Sequence, residues 1–238
     1  MTRTTTFSVT RSDLIKAALR KLEAIGEGET PSTEDYTNCA FGLNVMIKAW
    51  DKDGYYLWKL TELVLPLLTG ISVYQIGPTA TGTGALVADR PIRLQDTCYV
   101  KDSASLDTPL QILSRQEYNQ LGLKSTSSTV SQIYYDPQLV NGILKVYGTP
   151  SDSTHSAYLT AQTPVYDMNS ASETLDFPQE GYQAVIYGLA AEMMDEYPSL
   201  SPAKEARLLG KAELYRNQLA DFSQEEASIF FQPTRRQR

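Results

Sequence analysis

The residues best suited to chemistry are few and scattered. The single histidine, His155, lies in the hydrophilic run Ser151–Ser156, whereas a general base is ordinarily held against a partner in a sheltered site. That run reads as a solvated loop. Cys39 and Cys98 are the two cysteines; two are too few for a disulfide framework and neither has a histidine nearby in sequence, so both read as free thiols. Gly77-Pro-Thr-Ala-Thr-Gly-Thr-Gly84 has the glycines of a phosphate cradle. No lysine follows its last glycine and no helix start comes after it, so it reads as a flexible loop. Glu192, Asp195 and Glu196 offer paired carboxylates of the kind that glycoside hydrolysis places on either side of a substrate. Here they crowd the C-terminal end of one predicted helix, the wrong end of its dipole for acids, and read as a solvated or intersubunit face. On this reading the chain has no catalytic, cofactor-binding or metal-binding residues.

Two residue groups suit recognition better than catalysis. The 15 tyrosines, with Tyr55-Tyr56, Tyr134-Tyr135 and Tyr187 prominent and Trp58 close by, could stack on bases. The same side chains are favoured at protein interfaces, where one end packs and the other stays wet. Arg11, Lys16, Arg20 and Lys21 form a basic face suited to an acidic partner, or an ordinary solvated one. The predicted intersubunit set is therefore Arg11, Lys16, Arg20, Tyr55, Tyr56, Trp58, Glu192 and Asp195.

Elements that could position these residues follow from composition and period. With 238 residues, 42% of them hydrophobic, the chain can bury a substantial core. A formal charge of -7 and a pI near 4.8 argue against one large nucleic-acid-binding patch, though not against a surface that DNA slides past. No apolar run approaches the ~20 residues that span a bilayer, and Met1-Thr-Arg-Thr-Thr-Thr6 lacks the apolar core of a secretory signal, so cytoplasmic synthesis and assembly are expected.

Thr10-Arg-Ser-Asp13 is a capping box, and Leu14, Ile15, Ala18, Leu19, Leu22 and Ile25 follow at helical spacing. A second helix starts at Pro31-Ser32-Thr33-Glu34-Asp35, carries Tyr36, Ala40, Leu43, Ile47 and Trp50, and stops at Asp53-Gly54. This helical hairpin cannot cover both of its apolar stripes. The period then becomes strand-like: Leu63, Leu65 and Leu67, a turn at Thr69-Gly70, and Ile71–Ile76 predict a β-hairpin. Pro66 places the first strand at an edge or its own residue at a non-bonding position. Further strands are predicted at Pro91–Lys101, Leu110–Leu113, Gln132–Tyr135, Ile143–Tyr147 and Ala157–Gln162, with a short helix at Ser114–Leu121 behind a capping box. Helical period resumes over Pro178–Tyr197, where Ala184, Gly188 and Ala191 permit close helix approach, and again from Ser201 to about Phe222.

The expected fold is thus α+β: an antiparallel bundle of about four helices with an inserted small antiparallel β domain and an extended C-terminal tail. Residues 10–59 and 168–224 are the two halves of the bundle, 60–167 the insertion and 225–238 the arm.

Asp13–Leu22, Leu43–Trp50, Asp53-Gly54-Tyr55, Tyr135-Asp-Pro137, Asn141–Leu144 and Thr149-Pro150 together resemble the head-to-tail adaptor proteins of short-tailed bacteriophages, the packaged-DNA stabilisation proteins related to the tail tubular protein. The resemblance implies a helical bundle with an inserted β domain. It further implies a homo-oligomeric ring of twelve subunits, docked under the portal protein in the virion neck, meeting the tail nozzle or tail tube protein and continuing the channel through which double-stranded DNA passes without sequence specificity. It implies no cofactor and no membrane. It also implies a C-terminal segment reaching the portal, here through Ile229, Phe230, Phe231, Pro233, Arg235, Arg236 and Arg238. The competing readings are a carboxylate-dependent cell-wall hydrolase using Glu192 and Asp195, and a DNA-binding packaging factor.

Overall fold

In the computed structural model, residues 7–52, 57–197 and 200–222 are described. Three helices begin where the local chemistry places them. Thr10 Oγ1 accepts from the amide of Asp13 while the Asp13 carboxylate accepts from the amide of Thr10, opening α1 at Arg11–Lys21. Ser32 and Asp35 make the same exchange ahead of α2, Thr33–Asp51. Ser114 and Glu117 do so ahead of the short α3, Arg115–Gln120. Each box satisfies amides that the first helical turn would otherwise leave without partners. Replacing Ser32 with Ala should therefore cost about 1 kcal/mol of stability, measured as a lowered urea midpoint at unchanged slope.

Between α2 and the last two helices, α4 (Tyr182–Glu192) and α5 (Pro202–Phe222), the described residues form ten strands. In order these are β1 Leu60–Pro66, β2 Val73–Gly77, β3 Ala85–Val87, β4 Arg93–Leu94, β5 Tyr99–Lys101, β6 Asp107–Pro109, β7 Gln111–Ile112, β8 Gln132–Asp136, β9 Gly142–Tyr147 and β10 Ser156–Gln162. They make two five-stranded sheets, one running β1-β10-β5-β6 with β4 also on β10, the other β3-β2-β9-β8-β7. Alternation along β9 and β10 turns Leu144, Val146, Ala157 and Leu159 into one core, where they meet Leu65, Tyr74, Ile76, Val100 and Ile133 from both sheets. A separate core joins α1, α2, α4 and α5 through Leu14, Leu19, Leu43, Ile47, Val185, Leu189 and Leu208.

The architecture corrects the expected one. A helical bundle carrying a small antiparallel β insertion underestimates the sheet: among the described residues there are five α-helices and ten strands, and the β part has its own buried core. Nor is it wholly antiparallel, since β2–β3 and β7–β8 are parallel pairs. The expected hairpin across Thr69-Gly70 does not form. Gly70, at φ +76°, turns the chain from one sheet into the other, so β1 pairs with β10 and β2 with β9. Tyr74 holds this crossover, its hydroxyl accepting from the amide of Leu68 at 2.9 Å and donating to the carbonyl of Ile71 at 3.1 Å. Pro66 does lie on an edge strand. The predicted strand Pro91–Lys101 is two short strands, β4 and β5, and α4 ends at Glu192, short of Tyr197.

Chain entry and exit of the β lobe are side by side, because Leu60 is paired with Gln162 across the β1–β10 ladder. The seam above this stem is polar and buried. Asp51, at the end of α2, accepts from the amide of Val165 at 3.3 Å. Gln162 donates to the carbonyl of Asp51 at 3.2 Å and accepts from Arg93 Nε at 2.7 Å. Thr163 donates twice to the carbonyl of Lys59, whose ammonium meets Asp176 at 2.6 Å. Buried polar groups cost free energy unless paired; paired in this way, they set the orientation of the helices on the sheets.

Candidate functional site

Among the described residues, the groups singled out for chemistry stand apart from one another. His155 Nδ1 lies 2.9 Å from Asp152 Oδ1 in the loop before β10. The Asp152 carboxyl is held down at about 2, mainly by the hydroxyl and amide of Thr154 and less by His155. The pair therefore acts as part of a turn. Burial pushes the Cys39 thiol up to about 11 and raises that of Cys98. Both are free and buried, the opposite of an activated nucleophile. Among the described residues no group of three or more His, Cys, Asp or Glu stands close enough to hold a metal ion. Glu192 is the last residue of α4 and Asp195 lies in the turn beyond it, both exposed.

The structure distributes the predicted interface residues unevenly. Arg11 is engaged within the chain, its guanidinium donating to the carbonyl of Met168 at 2.7 Å beside the amide bonds that tie α1 to residues 171 and 173. Lys16 is half-buried and Arg20 exposed on α1. Trp58 packs edge-on against Phe177, ring centres 5.3 Å apart, at the border of the helical core. Tyr55, Tyr56 and the proposed portal-binding residues Ile229–Arg238 lie outside the described residues.

Two features of the helical lobe went unread in the sequence. On α2, Phe41 is 73% exposed and Val45 45%, with exposed Ala49 continuing the row. Steps of four put these three on one face, opposite the buried stripe Cys39, Leu43, Met46, Ile47 and Trp50. The signal was present: an apolar repeat out of phase with the core repeat. Beside it, α2, α4 and α5 border a groove of about 530 Å3 floored by Met46, Trp50 and Gly188, with Glu192, Glu213 and Arg216 along its rim. Gly188 permits this approach, since a Cβ there would stand 2.8 Å from the Trp50 ring. At the lobe junction the turn before β9 projects Leu139, 93% exposed, with Val140, toward exposed Tyr166.

The helix thus carries a buried stripe on one side and an exposed apolar stripe on the other. No known family's sequence model matches the chain, and no curated protein matches it.

Proposed function

We propose that the chain is a structural subunit of a bacteriophage neck: a head-to-tail adaptor that forms a ring of twelve copies in the host cytoplasm. The ring docks under the portal protein, meets the tail and continues the DNA channel, without a chemical step. The observation that carries this reading is the outward stripe Phe41, Val45 and Ala49, an apolar helix face left open among the described residues. Ring subunits need lateral surfaces of this kind beyond their own cores. The buried polar seam supports it as well, because copies related by rotation close a ring only if every copy holds its two lobes at one angle. The C-terminal residues Ile229, Phe230, Phe231, Pro233, Arg235, Arg236 and Arg238 combine apolar and basic side chains suited to ordering on a partner.

The test is electron microscopy of the protein mixed with its portal. Coaxial rings are expected. Phe41→Glu combined with Val45→Glu should leave isolated subunits, and deletion of Ile229–Arg238 should abolish portal attachment, with circular dichroism unchanged in both. Isolated particles from the unaltered protein, or rings that persist in the double variant, would defeat the reading.

A further inference from the structure

On the flank of α5 away from that groove lies a basic pocket of about 250 Å3. Its floor is buried Leu208 and the ring of Tyr187. Around it stand Lys21 from the end of α1 and Lys204, Arg207 and Lys211 from α5. Two ammonium groups converge on one ring, Lys21 Nζ 5.5 Å and Lys211 Nζ 5.3 Å from the centre of Tyr187. Glu23, the acid lining the pocket, is engaged by Lys204. Among the described residues no carboxylate stands within ion-pair distance of Lys21, Arg207 or Lys211. In a chain of formal charge -7, four cations gather here around one carboxylate, and three of them have no acid partner among the described residues; their mutual repulsion disfavours that arrangement until an anion arrives.

We propose that this pocket contacts the phosphodiester backbone of duplex DNA. Lys204, Arg207 and Lys211 are spaced i, i+3 and i+7, so they follow one face of α5 for about 10 Å of its axis. A lone carboxylate or phosphate would use one end of such a row, whereas a polymer charged along its backbone uses all of it. The cations stand on helices, at the end of α1 and along α5. They present no strand edge to a peptide and respond to charge rather than to side-chain sequence. Three of the four cations are lysines, point charges that attract phosphate without the paired grip of a guanidinium. This site stands apart from the adaptor reading: a subunit that never forms a ring would still bind DNA here, and a ring lacking the contact would still dock.

Fluorescence anisotropy of a labelled random-sequence duplex, titrated with the full chain across a salt series, tests the site. Binding is expected at low salt, with log affinity falling against log salt at a slope of about -3. Arg207→Glu combined with Lys211→Glu should weaken binding at least ~10-fold and make the slope shallower by about 2. Lys52→Glu combined with Lys145→Glu makes the same change in net charge away from the pocket, and should leave affinity within about two-fold, as expected where no phosphate contact is lost. Circular dichroism checks that both variants are folded. Absence of binding by the unaltered protein at low salt would overturn the proposal, as would equal losses in the two variants. Tighter binding of poly-glutamate than of DNA, dependent on the same two α5 residues, would overturn it in favour of an acidic polypeptide.

Discussion

Asp51→Asn should remove a pH dependence of about 2–3 kcal/mol from the stability of this protein, the gap between variant and parent opening as pH rises from about 4 to about 6. Asp51 is 5% exposed and its carboxyl is pushed up from 3.8 to about 6. Burial is the chief cause; Lys48, the amide of Val165 and Lys59 oppose it, and Asp167 adds to it. Its position as the last residue of α2 places the charge at the negative end of the helix dipole as well. An acid with a folded pKa above its unfolded value binds its proton more tightly in the native state. Its stabilisation is complete below the ordinary value of 3.8 and lost as pH rises through about 6. At neutral pH the folded protein therefore holds a charge that its surroundings disfavour. Asparagine keeps an acceptor for the Val165 amide and loses the charge, so urea denaturation should show the variant gaining on its parent with rising pH. Parallel stability curves across that range would show that the seam accommodates the carboxylate without strain.

Gly142→Ala is expected to destabilise the β lobe by about 2–4 kcal/mol, combining overpacking with a disrupted buried hydrogen bond. A Cβ at residue 142 would lie 2.0 Å from Tyr135 Oη and 2.5 Å from two carbons of the ring. The ring has little freedom to withdraw: Tyr135 is buried on β8, and its hydroxyl donates to the carbonyl of Pro91 at 2.6 Å, joining the second sheet to the approach to β4. Alanine suits a strand better than glycine in itself, so a loss would come from the collision. Tyr135→Phe separates the parts, since it deletes the hydroxyl and leaves the ring. Combined with Gly142→Ala, it should cost less than the two single losses together, because the residues are in contact. Strict additivity in denaturant titrations would show that the ring is not what alanine displaces.

The helix starts were legible because they are local. Thr10 with Asp13 and Ser114 with Glu117 satisfy amides three residues away, and no distant part of the chain can alter that geometry. Strand pairing was not legible in the same way. Leu65 and Leu67 alternate correctly and Gly70 makes the expected turn, yet β1 takes as its partner β10, at the far end of the β lobe. Alternation specifies which side of a strand is buried and leaves its neighbour open. The three-residue strands β3 and β6 carry too little period to be read at all, and exist because the strands beside them, β2 and β5, offer unpaired main-chain groups. Counting fewer strands than the fold contains is why the β part was judged small.

For recognition the division is similar. Arg11, Lys16, Arg20 and Lys21 stood out as a basic face from their spacing on α1 alone. Only packing could part them, tying Arg11 to Met168 and bringing Lys21 to the α5 cations more than 180 residues onward. The sequence by itself determined where helices begin, which stripes are apolar and that the chain carries excess negative charge. Tertiary structure decided which apolar stripe is covered, which cations are left without an acid, and which carboxylate is shut away from water. These are properties of neighbours in space, and the free energies of burial and of charge depend on that surrounding rather than on the order of residues.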